Sequence, residues 1–256
     1  MLALCRGQVI DLQFEQRVDV SVDDYLEMIG LKTAALFECA ARLGGLAAGV
    51  GDESLDRAGK FGYHLGVAFQ VIDDMLGVWG STTQTGKPVG SDLKNGKKTL
   101  PTLVALKSGA AGNRRVLRAL LTRARFTAAE METARAIITQ ASAQGICRRQ
   151  AAEHLAEARL QLFGMTDRPN WAVRALAEMV TTLGSALAAT PAMLSGARLS
   201  ALGSTLLVTV VEPLELSLFS IAAPIPPPMP PAMIAVIASR ASSAPRRFLR
   251  GGTGWP

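Results

Sequence analysis

Apolar residues recur every three or four positions along most of this chain, and the strict alternation of a half-buried strand is absent. The pattern predicts helices over Leu2–Glu15, Ser21–Leu46, Asp52 to a break before Phe61, and Phe61–Trp79. Further helices are expected over Thr99–Leu106, Arg114–Thr122, Ala128–Gln144, Cys147–Phe163 and Trp171–Leu187. In Ser21–Leu46, the residues Leu26, Ile29, Thr33, Phe37, Ala40 and Leu43 fall at helical spacing, and Ser21 with Asp24 has the form of a capping box. Phe61–Trp79 is apolar almost all round, which predicts a helix enclosed by others. The fold class that follows is all-α.

This regularity ends near residue 190. The run Ile225–Pro231 holds five prolines, which excludes a helix and removes the donors a sheet needs. Ala201–Val211 is apolar but only about half the ~20 residues that cross a bilayer, so no integral membrane span is expected. The chain thus divides into a helical domain, 1–190, and a Pro/Ala-rich extension without a fold of its own, 191–256.

Charge changes the picture little. Half of the net +6 lies beyond Ser195, and no recognition motif accompanies the rest, so nucleic acid is not an expected partner. Cys5, Cys39 and Cys147 are widely spaced, and with only His64 and His154 to help them they assemble no zinc site. Unpaired thiols point to a reducing, cytoplasmic setting. Met1–Ile10, short and interrupted by Arg6, lacks the form of a signal peptide.

Chemistry concentrates in Phe69-Gln70-Val71-Ile72-Asp73-Asp74-Met75-Leu76-Gly77. Two adjacent carboxylates in an apolar helix cost several kcal/mol unless they are paired or metal-bound. Gln70, Asp73 and Asp74 share a helical face, and oxygen ligands of this kind suit magnesium. A solvated acidic turn, or a pair neutralised by lysines, fits the same residues. The loop that follows, Thr85-Gly86-Lys87-Pro88-Val89-Gly90-Ser91-Asp92-Leu93-Lys94-Asn95-Gly96-Lys97-Lys98-Thr99, adds glycines for close approach and lysines for a diphosphate. It is not a Walker A loop, because the GxxxxGK[ST] spacing is missing.

FQxxDDxLxxxG followed by TGKPxGSDLxxGKKTLP resembles the second aspartate-rich region of the polyprenyl synthetases, the family of farnesyl and geranylgeranyl diphosphate synthases. Gly7-Gln8-Val9-Ile10-Asp11-Leu12 is similar to that family's GQxxDL segment, and Tyr25–Leu36 to its YxxMIxxKTAxL helix. The resemblance spans about residues 2–182. It implies the isoprenoid (terpenoid) synthase helical fold, present in part, and Mg²⁺-dependent transfer of an allylic prenyl group to isopentenyl diphosphate. It also implies roles by residue. Asp73 would hold Mg²⁺ with Asp74 in support. Lys32 and Lys87 would contact the allylic diphosphate with Lys97 nearby, Thr33 and Gln70 would line the pocket and help stabilise the developing cation, and Asp11 would orient Lys32 or a metal-bound water.

Two departures from the family pattern bear on activity. Gly77 stands where the motif usually has a third aspartate, and the family's first aspartate motif is not found in these residues. Asp23-Asp24-Tyr25-Leu26-Glu27 and Asp52-Glu53-Ser54-Leu55-Asp56 imitate it, but both read as first helical turns, where acidic residues complement the dipole. The expectation is therefore a prenyltransferase impaired as an isolated chain. The alternative is a non-catalytic partner subunit of a complete prenyl synthase, and the expected assembly is a homodimer or a heterodimer with a full-length synthase. His64 is expected as a packed polar residue, His154 as a solvated helix residue, and Met75 and Trp79 in the core.

Overall fold

The computed structural model describes residues 2–17, 19–80, 93, 95–123, 126–165 and 170–188. The expectation for 191–256 lies outside the described residues. The elements among them are helical: α1 (Leu2–Gln16), α2 (Val22–Ile29), a π-helical turn (Gly30–Ala34), α3 (Ala35–Ala47) and α4 (Asp52–Trp79). They continue as α5 (Leu100–Ser108), α6 (Ala111–Leu121), α7 (Ala128–Gln140), α8 (Ala143–Phe163) and α9 (Trp171–Ala188). Among the described residues, no helix is long and apolar enough to cross a membrane.

The centre of the fold is α4. Phe61, Leu65, Val67, Ala68, Val71, Ile72, Met75 and Val78 are buried on all its sides, as the apolar sequence requires. Helix α8 lies along one flank and presents mainly small buried residues, Ala143, Cys147, Ala151 and Ala158, with Leu155 and Leu162 toward its end. Small side chains let two helix axes approach closely. On another flank α3 closes on Gly62 and Gly66, where an added Cβ would stand 2.4 Å from the Phe37 carbonyl oxygen and 2.7 Å from Ala34 Cα.

Three expected boundaries are corrected. Asp52–Trp79 is one unbroken helix, because the Glu53–Arg57 and Asp56–Lys60 ion pairs cover its first turns while Ala58 and Gly59 are already buried. Ser21–Leu46 is not a uniform α-helix. The Ala35 N–H reaches back to the Gly30 carbonyl, and this wider turn contains Lys32 and Thr33. The break expected near Gly145 falls instead at Ser142, which takes the left-handed backbone (φ 54°), and Gly145 lies within the first turn of α8. The Ser142 carbonyl accepts from Gly145 and Ile146, so the new helix starts at once. The capping box forms as expected, Asp24 N–H on Ser21 Oγ and Ser21 N–H on the Asp24 carboxylate, both at 3.0 Å.

Candidate functional site

The site grows from the π turn. A wider turn breaks the regular rotation of side chains, and such turns recur at functional positions. Here two consecutive residues serve different neighbours. Lys32 Nζ donates to Asp11 Oδ2 of α1 at 2.6 Å, while Thr33 Oγ1 donates to Gln70 Oε1 of α4 at 2.9 Å. The first contact requires α1 to lie almost against the turn. Gly7 allows it, since a Cβ there would stand 2.4 Å from the Lys32 backbone nitrogen.

Gln70 passes the linkage on. Its Nε2 donates to Asp74 Oδ1 at 3.0 Å. The other carboxylate oxygen accepts from the Tyr25 hydroxyl and, at 3.1 Å, from the Leu100 N–H in the first turn of α5. Asp74 is only 1% exposed. Burial pushes its pKa up to about 6, against the opposing effect of the Tyr25, Gln70 and Leu100 donors and the Lys97 charge. Burial, reinforced by the Asp74 charge, raises the Tyr25 hydroxyl well above its ordinary value. Cys147 of α8 is pushed up to about 12, first by burial and then by Asp74, which makes it an inert packed thiol.

The two aspartates therefore differ. Asp74 has three donors on its oxygens and is buried, whereas Asp73 is half-buried. Both were expected as metal ligands; Asp74 is committed to these three donors, and Asp73 also has an interaction partner. Among the described residues there is no group of three or more His, Cys, Asp or Glu able to cage an ion. One or two carboxylates with water and phosphate oxygens satisfy Mg²⁺, so the donor set fits that cation.

A small cavity of about 30 Å³ unites most of the expected residues: Asp11, Lys32, Thr33, Gln70, Asp74 and Lys97 line it, with Tyr25 and Lys98. It has room for an ion or a water or two. Lys87 lies outside the described residues. Tyr25 and Lys98 were not singled out from sequence. Tyr25 belonged to a recognisable motif, yet nothing in its spacing reveals that it meets an aspartate 49 residues away.

One expectation fails nearby. His154 is not a solvated residue, because its Nδ1 lies 2.9 Å from His64 Nδ1 across the α4–α8 contact, with the rings 5.1 Å apart. Met75 is buried as expected, while Trp79 is partly exposed and donates to Thr139 Oγ1 at 3.0 Å.

Comparison with known proteins places the chain among relatives of one kind. A family model described as polyprenyl synthetase matches residues 1–138. The chain is 40% identical over 154 residues to geranylgeranyl diphosphate synthase of Mycobacterium tuberculosis (60% of this chain, 44% of the relative). It is 49% identical over 116 residues to geranylfarnesyl diphosphate synthase of Aeropyrum pernix (45% and 36%). Among solved structures, polyprenyl synthetase from Streptomyces coelicolor A3(2) is similar at 34% identity and TM-score 0.61, covering 75% of this chain and 56% of that one. Polyprenyl synthase from Caulobacter crescentus CB15, complexed with calcium and isoprenyl diphosphate, is similar at 31% identity and TM-score 0.66, covering 72% and 55%. The chain thus spans less than half the length of these curated relatives and somewhat over half of the solved chains.

Proposed function

The chain belongs to the polyprenyl synthetase family, and from that premise we propose that it carries the allylic-diphosphate half of a prenyl-transfer site. The observation that supports this most is the convergence of Asp11, Lys32, Thr33, Gln70, Asp74 and Lys97 on one cavity, drawn from four separate parts of the chain. In this reading Lys32, set by Asp11, and Lys97 bind the diphosphate, together with Lys87. Asp73 holds Mg²⁺, which when bound would neutralise charge on the leaving diphosphate. Asp74 is the fixed anchor from which Asp73 is aimed, and Thr33 and Gln70 present oxygen dipoles toward positive charge developing on the allyl group. The reaction is loss of diphosphate from an allylic diphosphate, attack of the isopentenyl diphosphate double bond on the resulting cation, and release of a proton. A reducing, cytoplasmic setting belongs to the same reading, since the three thiols are free.

These 256 residues contain one aspartate-rich motif of the kind the reaction uses twice, so we propose that on their own they bind diphosphate and turn over slowly. The test is condensation of labelled isopentenyl diphosphate with an allylic diphosphate in Mg²⁺, with calorimetry of the allylic diphosphate alongside. Asp73→Ala should abolish the Mg²⁺-dependent part of both signals while leaving the fold intact. Equal binding by wild type and Asp73→Ala overturns the reading.

A second reading, a partner subunit for a complete synthase, is favoured by one observation. Helices α1 and α3 are each apolar on two sides. Gly7 and Phe14 of α1 and Phe37 of α3 face the core, yet Leu2, Val9 and Leu12, and Leu36, Leu43 and Leu46, are half exposed or more. Exposed apolar faces of this kind mark association surfaces. If the chain is inert alone but changes the product lengths of a complete synthase, this second reading replaces the first.

A further inference from the structure

The 30 Å³ cavity shares part of its lining with a larger space. A cleft of about 640 Å³ lies between the C-terminal end of α1, the Asn95–Lys98 turn and the C-terminal end of α6. The two share Asp11, Lys97 and Lys98. The cleft adds Arg17, Arg118 and Arg123, so five cationic side chains face one concavity against the carboxylates of Asp11 and Glu15.

Those charges are not equally available. Asp11 is engaged by Lys32, Arg17 by Asp24 and Arg123 by Glu130. Lys98 is different, because its ammonium donates to the Phe14 backbone carbonyl, a neutral partner. Burial lowers its pKa, with the Glu15 charge acting the other way. Arg118, exposed on α6, makes no ion pair among the described residues. A concave wall of low dielectric focuses the field of such charges, and a planar guanidinium beside an ammonium matches phosphate oxygens. Phe14, Leu106 and Leu121 line the same cleft and give it an apolar side.

We propose that this cleft is an outer diphosphate subsite, with Arg118 and Lys98 as its recognition residues, holding the anion next to the inner cavity without a metal ion. The proposal rests on the reading of the inner cavity as a diphosphate site, but it makes a separable claim, because Arg118 and Lys98 need neither Asp73 nor Mg²⁺. The anion has two sources, free pyrophosphate leaving after transfer and the headgroup of a prenyl diphosphate arriving. The headgroup chemistry is shared, and only the second would use the apolar wall.

The test is calorimetric titration of the full chain with inorganic pyrophosphate, at low salt and with chelator present. Binding should weaken about tenfold in Arg118→Ala, the loss expected for one charge-assisted contact. Arg115→Ala supplies the control: it removes the same charge from the same helix, but Arg115 is exposed outside the cleft, and affinity should change by less than about twofold. Lys98→Met tests the second residue, with circular dichroism reporting whether the Phe14 contact was needed for folding. Titration with geranyl diphosphate separates the sources, since tighter, Arg118-dependent binding than pyrophosphate marks an arriving substrate and equal binding marks the product anion. Equal weakening by Arg115→Ala and Arg118→Ala, or no pyrophosphate binding without metal, overturns the proposal. If Mg²⁺-dependent binding is absent while the Arg118 pattern holds, the prenyl-transfer reading falls and the subsite stands.

Discussion

The Tyr25 hydroxyl donates to the Asp74 carboxylate inside the bundle, linking the first helix of the π-interrupted pair to the central helix α4. The bond explains how a carboxylate survives at 1% exposure. Three donors replace the water it has lost, and each is supplied by a different element.

Removing the hydroxyl leaves a buried oxygen short of a donor. Tyr25→Phe should destabilise the fold by about 1–3 kcal/mol. Asp74→Asn should also destabilise, because an amide nitrogen would confront one of the three donors. The pair is in contact, so a double-mutant cycle in urea should show coupling of at least about 0.5 kcal/mol. Strict additivity would mean that the bond contributes nothing.

Gly7→Ala tests the approach of α1 to the π turn. The added methyl would overlap backbone atoms of Lys32, which cannot swing aside as a side chain could. Overpacking of this kind costs about 1–3 kcal/mol. The same displacement should lengthen the Lys32–Asp11 contact and weaken Mg²⁺-dependent diphosphate binding. A Gly7→Ala variant with wild-type melting and wild-type binding would show that α1 is free to shift.

The His64–His154 contact sets a pH dependence. Both pKa values lie below the ordinary 6.5, in each case chiefly through burial, with His64 further lowering His154 and Glu157 acting the other way on both. Tyr63 packs edge-on against His64, Gln150 lies near His154 Nε2, and Glu153 acts on His154 from its own helix. The unfolded chain takes up protons near pH 6.5 while the folded chain resists. The contribution is therefore fully present above that value and is lost as pH falls through it toward the lowered folded values. Urea midpoints measured from pH 8 to pH 5 should fall less steeply in His154→Gln than in wild type. Parallel profiles would rule this contact out as the cause.

The exposed stripe on α3 offers a test of association. Leu43→Glu places a charge at a half-exposed apolar position without touching the core, so its effect on monomer stability should be within about 0.5 kcal/mol. If α3 pairs with another chain, sedimentation should show that the variant has lost the association that wild type retains. Identical sedimentation of both proteins would remove this face from consideration.

Read alone, the sequence determined the all-helical class, the enclosed position of Phe61–Trp79 and the residue types of the site, because each depends on spacing along one helix. Gln70 and Asp74 are four residues apart, and a regular helix must bring them together. The capping box at Ser21 and Asp24 is legible for the same reason. What only the tertiary structure decided are relationships across helices. Periodicity fixes the angle of a side chain about its own axis but not which neighbour occupies that side. The meeting of Asp74 with Tyr25 and Leu100, that of His64 with His154, and the gathering of Lys98 and Arg118 on one cleft all depend on how helices pack. The π turn escaped notice because its five residues keep ordinary helical composition, and the extra residue is stabilised by what Lys32 and Thr33 meet on α1 and α4.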